Sequence, residues 1–340
     1  TGLNKIFIHV VKNFSTEQIF EILKSIKSIR VLVIGDAILD EYIGCDMLDR
    51  SGKEPLITYK FLDSKISLGG SFFVANQLTA FTNNVTLITC IGNNDYELIE
   101  TSLNKNIERC IFIQNSNKTI IKTIYINNYK KVKVFEVYNV DEFKINEEIE
   151  EKIIKYLENN IHRFDMILVP DFGHGLISPI ILDYLMRCNK FLAINCQLNA
   201  GNLGFNVITK YKRADFVSLN ERELRLPFYE KNSDIIISIN KLSKVLSLNK
   251  INITLGKFGS IYYEDNSTFF VPSFTNNPLD TIGAGDAVLS LTSLLAYKNI
   301  KPQLIPFLGN SIGALVVKIM GNERVVGFGE LKKFIAYIMK

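Results

Sequence analysis

Short, continuously apolar runs recur along the chain, each closed by a turn residue. Arg30–Gly35 (RVLVIG), Val85–Gly92 (VTLITCIG), Ile107–Ile113, Met166–Pro170, residues 190–195, Asp215–Leu219 and Ile251–Leu255 all read this way. Apolar side chains at consecutive positions predict strands covered on both faces, as in a parallel sheet. Helices are predicted between them at Ser71–Phe81, 146–160 and 178–187, and near 303–320 and 329–339 at the end of the chain. Strand and helix alternate from residue 146 onward, which predicts right-handed βαβ units. Ala287–Tyr297 (AVLSLTSLLAY) is apolar all round and predicts a buried helix.

Two stretches have a different period. Residues 41–66 alternate and contain turn residues, and residues 119–138 form two alternating strands around Asn127-Asn128, a hairpin signal. They predict a small sheet outside the main one, placed as a lid. Residues 1–30 form a lead-in. Ser15-Thr16-Glu17-Gln18 there has the pattern of a capping box before an amphipathic helix carrying Ile19, Phe20, Ile22, Leu23 and Ile26. The expected division is a lead-in or linker over 1–30 and one α/β domain over 31–340.

Composition narrows the class. A chain of 340 residues with 47% hydrophobic residues can bury a large core. A net charge of +4 without a basic run gives no reason to expect nucleic acid. No apolar stretch reaches the roughly 18–20 residues of a membrane span. Cys45, Cys90, Cys110, Cys188 and Cys196 are scattered and include no C-x-x-C pair, against a disulfide framework or zinc site. His9, His162 and His174 stand far apart. No signal-peptide pattern is visible, and the missing initial Met leaves room for an upstream part. A cytoplasmic location is expected.

The stretch with chemical content is Asp280-Thr281-Ile282-Gly283-Ala284-Gly285-Asp286, just before the buried helix. A glycine turn opening a helix leaves backbone N–H groups unpaired at the positive end of the helix dipole, which together seat an anion such as phosphate. A carboxylate beside a phosphate seat suits a group that accepts a proton from an attacking hydroxyl. Asp286 as a simple N-cap is the plain alternative. At such a helix terminus its pKa is expected to be low. Asp36 and Asp40 follow the first strand, where ligands of open α/β sheets sit, and could accept hydrogen bonds from sugar hydroxyls. A turn-capping role is the alternative for both. Lys122 could reach a ligand from the hairpin, or be a solvated strand lysine.

These motifs resemble the ribokinase-like (PfkB-type) carbohydrate kinases over about residues 30–325. The resemblance rests on Gly35-Asp36 with Leu39-Asp40, Gly69-Gly70 with Asn76, Asn220-x-x-Glu223, Thr254-x-Gly256-x-x-Gly259, and the Asp280–Asp286 turn. GDAILDEY and PDFGHGL resemble the heptose-7-phosphate kinase half of bifunctional ADP-heptose synthesis enzymes. Ser51–Pro55 and Asn195–Leu226 are similar to kinases fused to a nucleotidyltransferase. The fold this implies is a three-layer α/β/α sandwich with a mostly parallel sheet and a small β-sheet lid.

The resemblance also implies roles. Asp286 would be the base, with the amides of Gly283, Ala284 and Gly285 as anion hole. Asp36, Asp40, Gly69, Gly70, Asn76, Lys122 and Asp171 would bind the sugar. Asn220, Glu223, Thr254, Gly256, Gly259 and Thr281 would bind the nucleotide, with Asn220 and Glu223 placing the metal through water. The cofactors would be ATP and Mg²⁺, with a monovalent cation as a further candidate. The acceptor would be a sugar or sugar phosphate, and the lid would pair two subunits. The chain departs from the pattern at His174, where the heptose kinases tend to have Lys. Pro170 precedes Asp171, Ile282 stands in place of a second Thr, and Asn195-Cys196-Gln197 stands where Asp-Pro-Lys is common. A nucleoside or simple hexose kinase and an inactive sugar- or nucleotide-binding module remain alternatives. A Rossmann dehydrogenase and a P-loop kinase lack their motifs, since no G-x-G-x-x-G follows the first strand and no Walker A is present.

Overall fold

The computed structural model describes residues 5–93, 96–139, 144–202, 204–275 and 277–340. Residues 1–4 of the expected lead-in lie outside them. In chain order the elements begin with α1 (Lys5–Asn13), α2 (Thr16–Ser25), β1 (Arg30–Ile34), β2 (Ala37–Arg50), β3 (Ile57–Gly69), α3 (Gly70–Leu78), β4 (Asn84–Ile91) and α4 (Tyr96–Ser102). They continue with β5 (Ile107–Ile113), β6 (Ile120–Asn127), β7 (Val132–Asn139), α5 (Glu147–Asn160), β8 (Met166–Asp171), α6 (Pro179–Arg187), β9 (Phe191–Cys196) and β10 (Phe216–Asn220). The last are α7 (Glu221–Arg225), α8 (Ile235–Leu246), β11 (Lys250–Thr254), β12 (Ser260–Glu264), β13 (Ser267–Val271), α9 (Ala284–Tyr297), α10 (Leu304–Val316) and α11 (Phe328–Ile338).

Among the described residues, nine strands form the main sheet in the order β13-β12-β11-β10-β9-β8-β1-β4-β5. It is parallel from β5 to β11 and antiparallel at the β11–β12–β13 edge. Neighbouring residues of one strand belong to opposite cores. Val31 and Val33 pack with α3, α9 and α10, while Leu32 and Ile34 pack with α5, α6 and α8. That alternation makes the three layers, and it explains why the strands read as unbroken apolar runs.

The remaining four strands form a second sheet, β3-β2-β6-β7. This is the small sheet expected from residues 41–66 and 119–138. Strand β2 starts earlier than expected, at Ala37, so Asp40 lies within the strand and not in a turn. The β2–β6 pairing is parallel and sets Asp40 beside Lys122. The capping box of Ser15 and Gln18 is formed. The lead-in packs on the domain, with Ile19, Leu23 and Ile26 in the core shared with α9 and α10.

Candidate active site

Helix α9 begins three residues earlier than the sequence suggests. Gly283 is its N-cap with φ +75°, so Asp286 occupies the third helical position. Its first turn lacks i−4 partners, as at any helix start. The Ala284 N–H donates to Thr281 O at 3.3 Å, and the Ala287 N–H to Gly283 O at 2.9 Å. The amides of Gly283, Gly285 and Asp286 have no partner among the described residues. The unpaired N–H groups available to an anion are therefore those of Gly283, Gly285 and Asp286. Ala284, expected to take part, has its amide engaged within the turn. Space over Gly285 is open to 4 Å, as a seat for an anion requires.

This turn lines a cavity of about 480 Å³ that brings together Asp40, Gly70, Lys122, Asn220, Thr254, Gly256, Gly259, Thr281 and Asp286. At one end, Asp40 is 4% exposed and accepts a hydrogen bond from Asn322 Nδ2 at 2.6 Å. Gly69 makes room for it, because a Cβ at that position would stand 2.3 Å from Asp40 Oδ2. Gly70 has φ +56°, and a Cβ there would stand 2.7 Å from Asp36 O. Lys122 pairs with Glu136 at 3.3 Å and faces the cavity beside Tyr138. At the other end, Gly309, Gly313, Ala314 and Val317 of α10 and its C-cap, with Pro278, leave a shallow slot of small residues. Thr254 ends β11 there, and Gly259 must be glycine because a Cβ would meet Val271 O at 2.0 Å.

Other residues singled out from the sequence take structural places. Asp36 is buried and accepts the N–H groups of Phe172, His174 and Leu176 at 3.0–3.2 Å, so it pins that loop and does not line the cavity. Asp171 is buried under Tyr211 and Lys210, with the ammonium at 2.5 Å. Asn76 accepts from the Asn104 N–H at 2.9 Å and faces a separate cavity with Lys65 and Arg324. Glu223 closes a capping box with Asn220 and takes the Leu198 N–H at 3.1 Å, so both of its oxygens are engaged by amides. His174 is buried and bonds Tyr138 of the lid at 3.0 Å. Gln197, in place of a charged residue, lines the cavity without charge.

The electrostatics reverse one expectation. Asp286 is 7% exposed. Burial lifts its pKa to about 7, helped by the charges of Asp40 and Glu223 and opposed by Lys122. Burial and two neighbouring carboxylates outweigh the helix terminus that suggested a low value. Burial also lifts Asp40 to about 6, against Lys122 and the Asn322 amide. It lifts Glu223 to about 7, against the amides of Asn220 and Leu198. A carboxylate poised near neutrality, beside unpaired amides, is suited to accept a proton while an anion is held.

No three His, Cys, Asp or Glu side chains converge as a metal cluster among the described residues. Asn322 and Tyr138 line the cavity without having been singled out. Asn322 follows Gly321, which has φ +55°, so Gly-Asn reads in sequence only as a turn. Nothing local reveals that its amide meets Asp40. No helix among the described residues is long and apolar enough to cross a membrane.

The family model described as pfkB family carbohydrate kinase matches residues 67–322. The bifunctional protein HldE of Desulfatibacillum aliphaticivorans is 25% identical over 313 residues, covering 88% of this chain and 61% of the relative. The protein of the same name from Campylobacter jejuni is 25% identical over 308 residues, covering 90% of this chain and 64% of the relative. The chain thus spans less than two thirds of the length of these relatives. Among solved structures, ribokinase from Thermotoga maritima superposes with a TM-score of 0.69 at 17% identity, covering 91% of this chain and 99% of that one. Phosphofructokinase-2 from Escherichia coli in complex with fructose-6-phosphate gives 0.69 at 13% identity, covering 92% of this chain and 100% of that one. These likenesses establish the ribokinase-like fold.

Proposed function

The chain belongs to the pfkB family of carbohydrate kinases, phosphotransferases acting on an alcohol group, and on that premise we propose that it phosphorylates a sugar phosphate of the heptose-7-phosphate kind with ATP. The observation that carries the reading is the pairing of the unpartnered Gly283, Gly285 and Asp286 amides with a buried carboxylate in the same cavity.

In this reading the acceptor lies at the Asp40 end, where Asp40 takes hydroxyl hydrogens and Lys122 supplies the one cation facing that end among the described lining residues. The nucleotide lies along the α10 slot, with its terminal phosphate toward the α9 N-terminus. Asp286 removes the acceptor's hydroxyl proton as the oxygen bonds to phosphorus. The N–H groups of the turn hold the charge on the moving phosphoryl group. Asp36 and Glu223 act by fixing loops at the rim. Asn220, which lines the cavity, would help to hold Mg²⁺ through water, and the ion would supply charge neutralisation on the phosphates. Asp280 next to the turn already has Lys133 Nζ at 2.6 Å, so a monovalent cation has a resident competitor there.

The outer face of the lid sheet carries exposed Met47, Phe61 and Phe135, which supports pairing of two subunits through the lid. The relatives are named bifunctional and extend beyond this match, which supports a second activity joined to the kinase; the resemblance implies a nucleotidyltransferase. The cytoplasm, where ATP is supplied, is the proposed place of action.

ADP release with ATP and Mg²⁺ over a panel of sugars, sugar phosphates and nucleosides tests the proposal, with Asp286→Asn as blank. Turnover above the blank on a heptose 7-phosphate, and on neutral sugars at least about tenfold more slowly, supports it. Turnover only with nucleosides or unphosphorylated hexoses would replace the acceptor. No turnover with any acceptor would leave a binding module.

A further inference from the structure

Asp280 is not part of the phosphate seat, yet four separate segments converge on its fully buried side chain. Tyr42 of β2 donates its hydroxyl to Oδ2 at 2.8 Å. Lys133 of β7 donates its ammonium to Oδ1 at 2.6 Å. The Ile282 N–H, inside the turn, reaches Oδ1 at 3.1 Å, and the Gly321 N–H reaches Oδ2 at 3.0 Å. Lys133 Nζ also stands 5.8 Å from the centroid of the Tyr42 ring. Two of the four donors thus come from the lid and one from the turn.

Apolar packing repeats the connection. Tyr42, Ile124 and Ile126 form a small core inside the lid, and Ile282 and Met320 pack against it. Ile282 is the residue that stands where the family pattern has a second Thr. A threonine cannot fill the same space with two fewer apolar atoms and a hydroxyl to satisfy. Gly321 must come close, since a Cβ there would stand 2.7 Å from Tyr42 Cε2.

Burial raises the pKa of Asp280, but Lys133 and the Ile282 amide outweigh it, so the carboxylate stays ionised below its usual range. A buried carboxylate that loses its one ammonium is left uncompensated, which is costly in place and favours rearrangement. Ile282 immediately precedes Gly283, the N-cap of the catalytic helix, so a shift at Asp280 is passed on to the anion seat.

We propose that Asp280, Lys133 and Ile282 form a latch through which the lid sets the geometry of the Gly283–Asp286 turn, with Lys133 as a positioning residue that supplies a built-in positive charge. Only its catalytic consequence rests on the kinase reading. Lid and turn then open and close together, and a change in the lid hairpin is felt at the phosphate seat.

Amide hydrogen exchange on the whole protein without ligand is compared for wild type, Lys133→Met and Ile282→Thr. The expected result is faster exchange, by about fivefold or more, at the bonded amides of Ile282, Ala284 and Ala287 and at residues 38–44 together. In Lys133→Ala, added methylammonium restores the protection in both segments. In ADP release, kcat falls about tenfold or more in Lys133→Met while KM for ATP stays within about twofold. Faster exchange confined to residues 130–136, with turn and kcat unchanged, overturns the latch. Should Lys133→Met fail to fold, Ile282→Thr decides by the same two-segment criterion. If wild type releases no ADP with any acceptor, the kinase reading fails while the exchange comparison still judges the latch.

Discussion

At pH 8 the Asp286 carboxylate is ionised in a site where it is 7% exposed and faces Asp40 and Glu223, so the native state holds a charge it does not favour. Its pKa is about 7 when folded, against an ordinary 3.8. The group's contribution to stability is fully present below the unfolded value. It is lost progressively as pH rises from about 4 to 7, because the unfolded chain releases the proton first. Above pH 7 the loss levels off at about 4 kcal/mol as an upper bound. Asp286→Asn keeps the shape, removes the charge and removes the base. The variant is therefore expected to unfold at higher temperature than wild type at pH 8, with the advantage shrinking as the pH is lowered toward 4. Its turnover is expected to fall by about 10²-fold or more. In wild type, kcat/KM should climb with a slope approaching one below about pH 6 and level off above pH 7, so that about a tenth of the plateau remains at pH 6. Thermal unfolding at a series of pH values, run beside ADP release, checks both limbs. A wild-type profile flat down to pH 5.5, with no gain of stability in the variant at pH 8, would refute a carboxylate poised by burial.

Two further outcomes follow from the geometry. Gly283→Ala places a Cβ 2.2 Å from Asn322 Oδ1 at φ +75°; it should cost about 1–3 kcal/mol in denaturant unfolding and lower ADP release more than tenfold. Phe61→Asp on the exposed face of the lid should turn a dimer into monomer in sedimentation, while chemical denaturation moves by less than about 1 kcal/mol, because Phe61 is 62% exposed in the single chain; a monomeric wild type would exclude pairing by that face.

Much of the frame is legible because buried parallel strands and glycine turns leave local marks. RVLVIG and VTLITCIG are apolar at most positions because both faces are covered, and Ser15 and Gln18 close their capping box within four residues. The glycine turn is legible for the same reason, since Gly283 serves a requirement of its own backbone. What escapes is whatever depends on distant segments. Asn76 is a sugar ligand only by the family resemblance, and the fold turns it toward Asn104. Asp36 and Asp171 stand at strand ends as ligand groups would, but loop amides and Lys210 reach them first. Asn322 and Lys133 carry no motif, and their partners lie far along the chain. The raised pKa of Asp286 follows from burial first and then from the charges of Asp40 and Glu223, which the helix terminus alone does not reveal.

The parallel pairing of β2 with β6 has a consequence for how the molecule is made. Between Arg50 and Ile120 the chain must lay down β3, α3, β4, α4 and β5 before β6 is available to β2. Such a distant strand partner is slow to find. On a ribosome the long β2 ribbon emerges early and waits with one margin bare, so newly made chains are most prone to stick to one another in that interval.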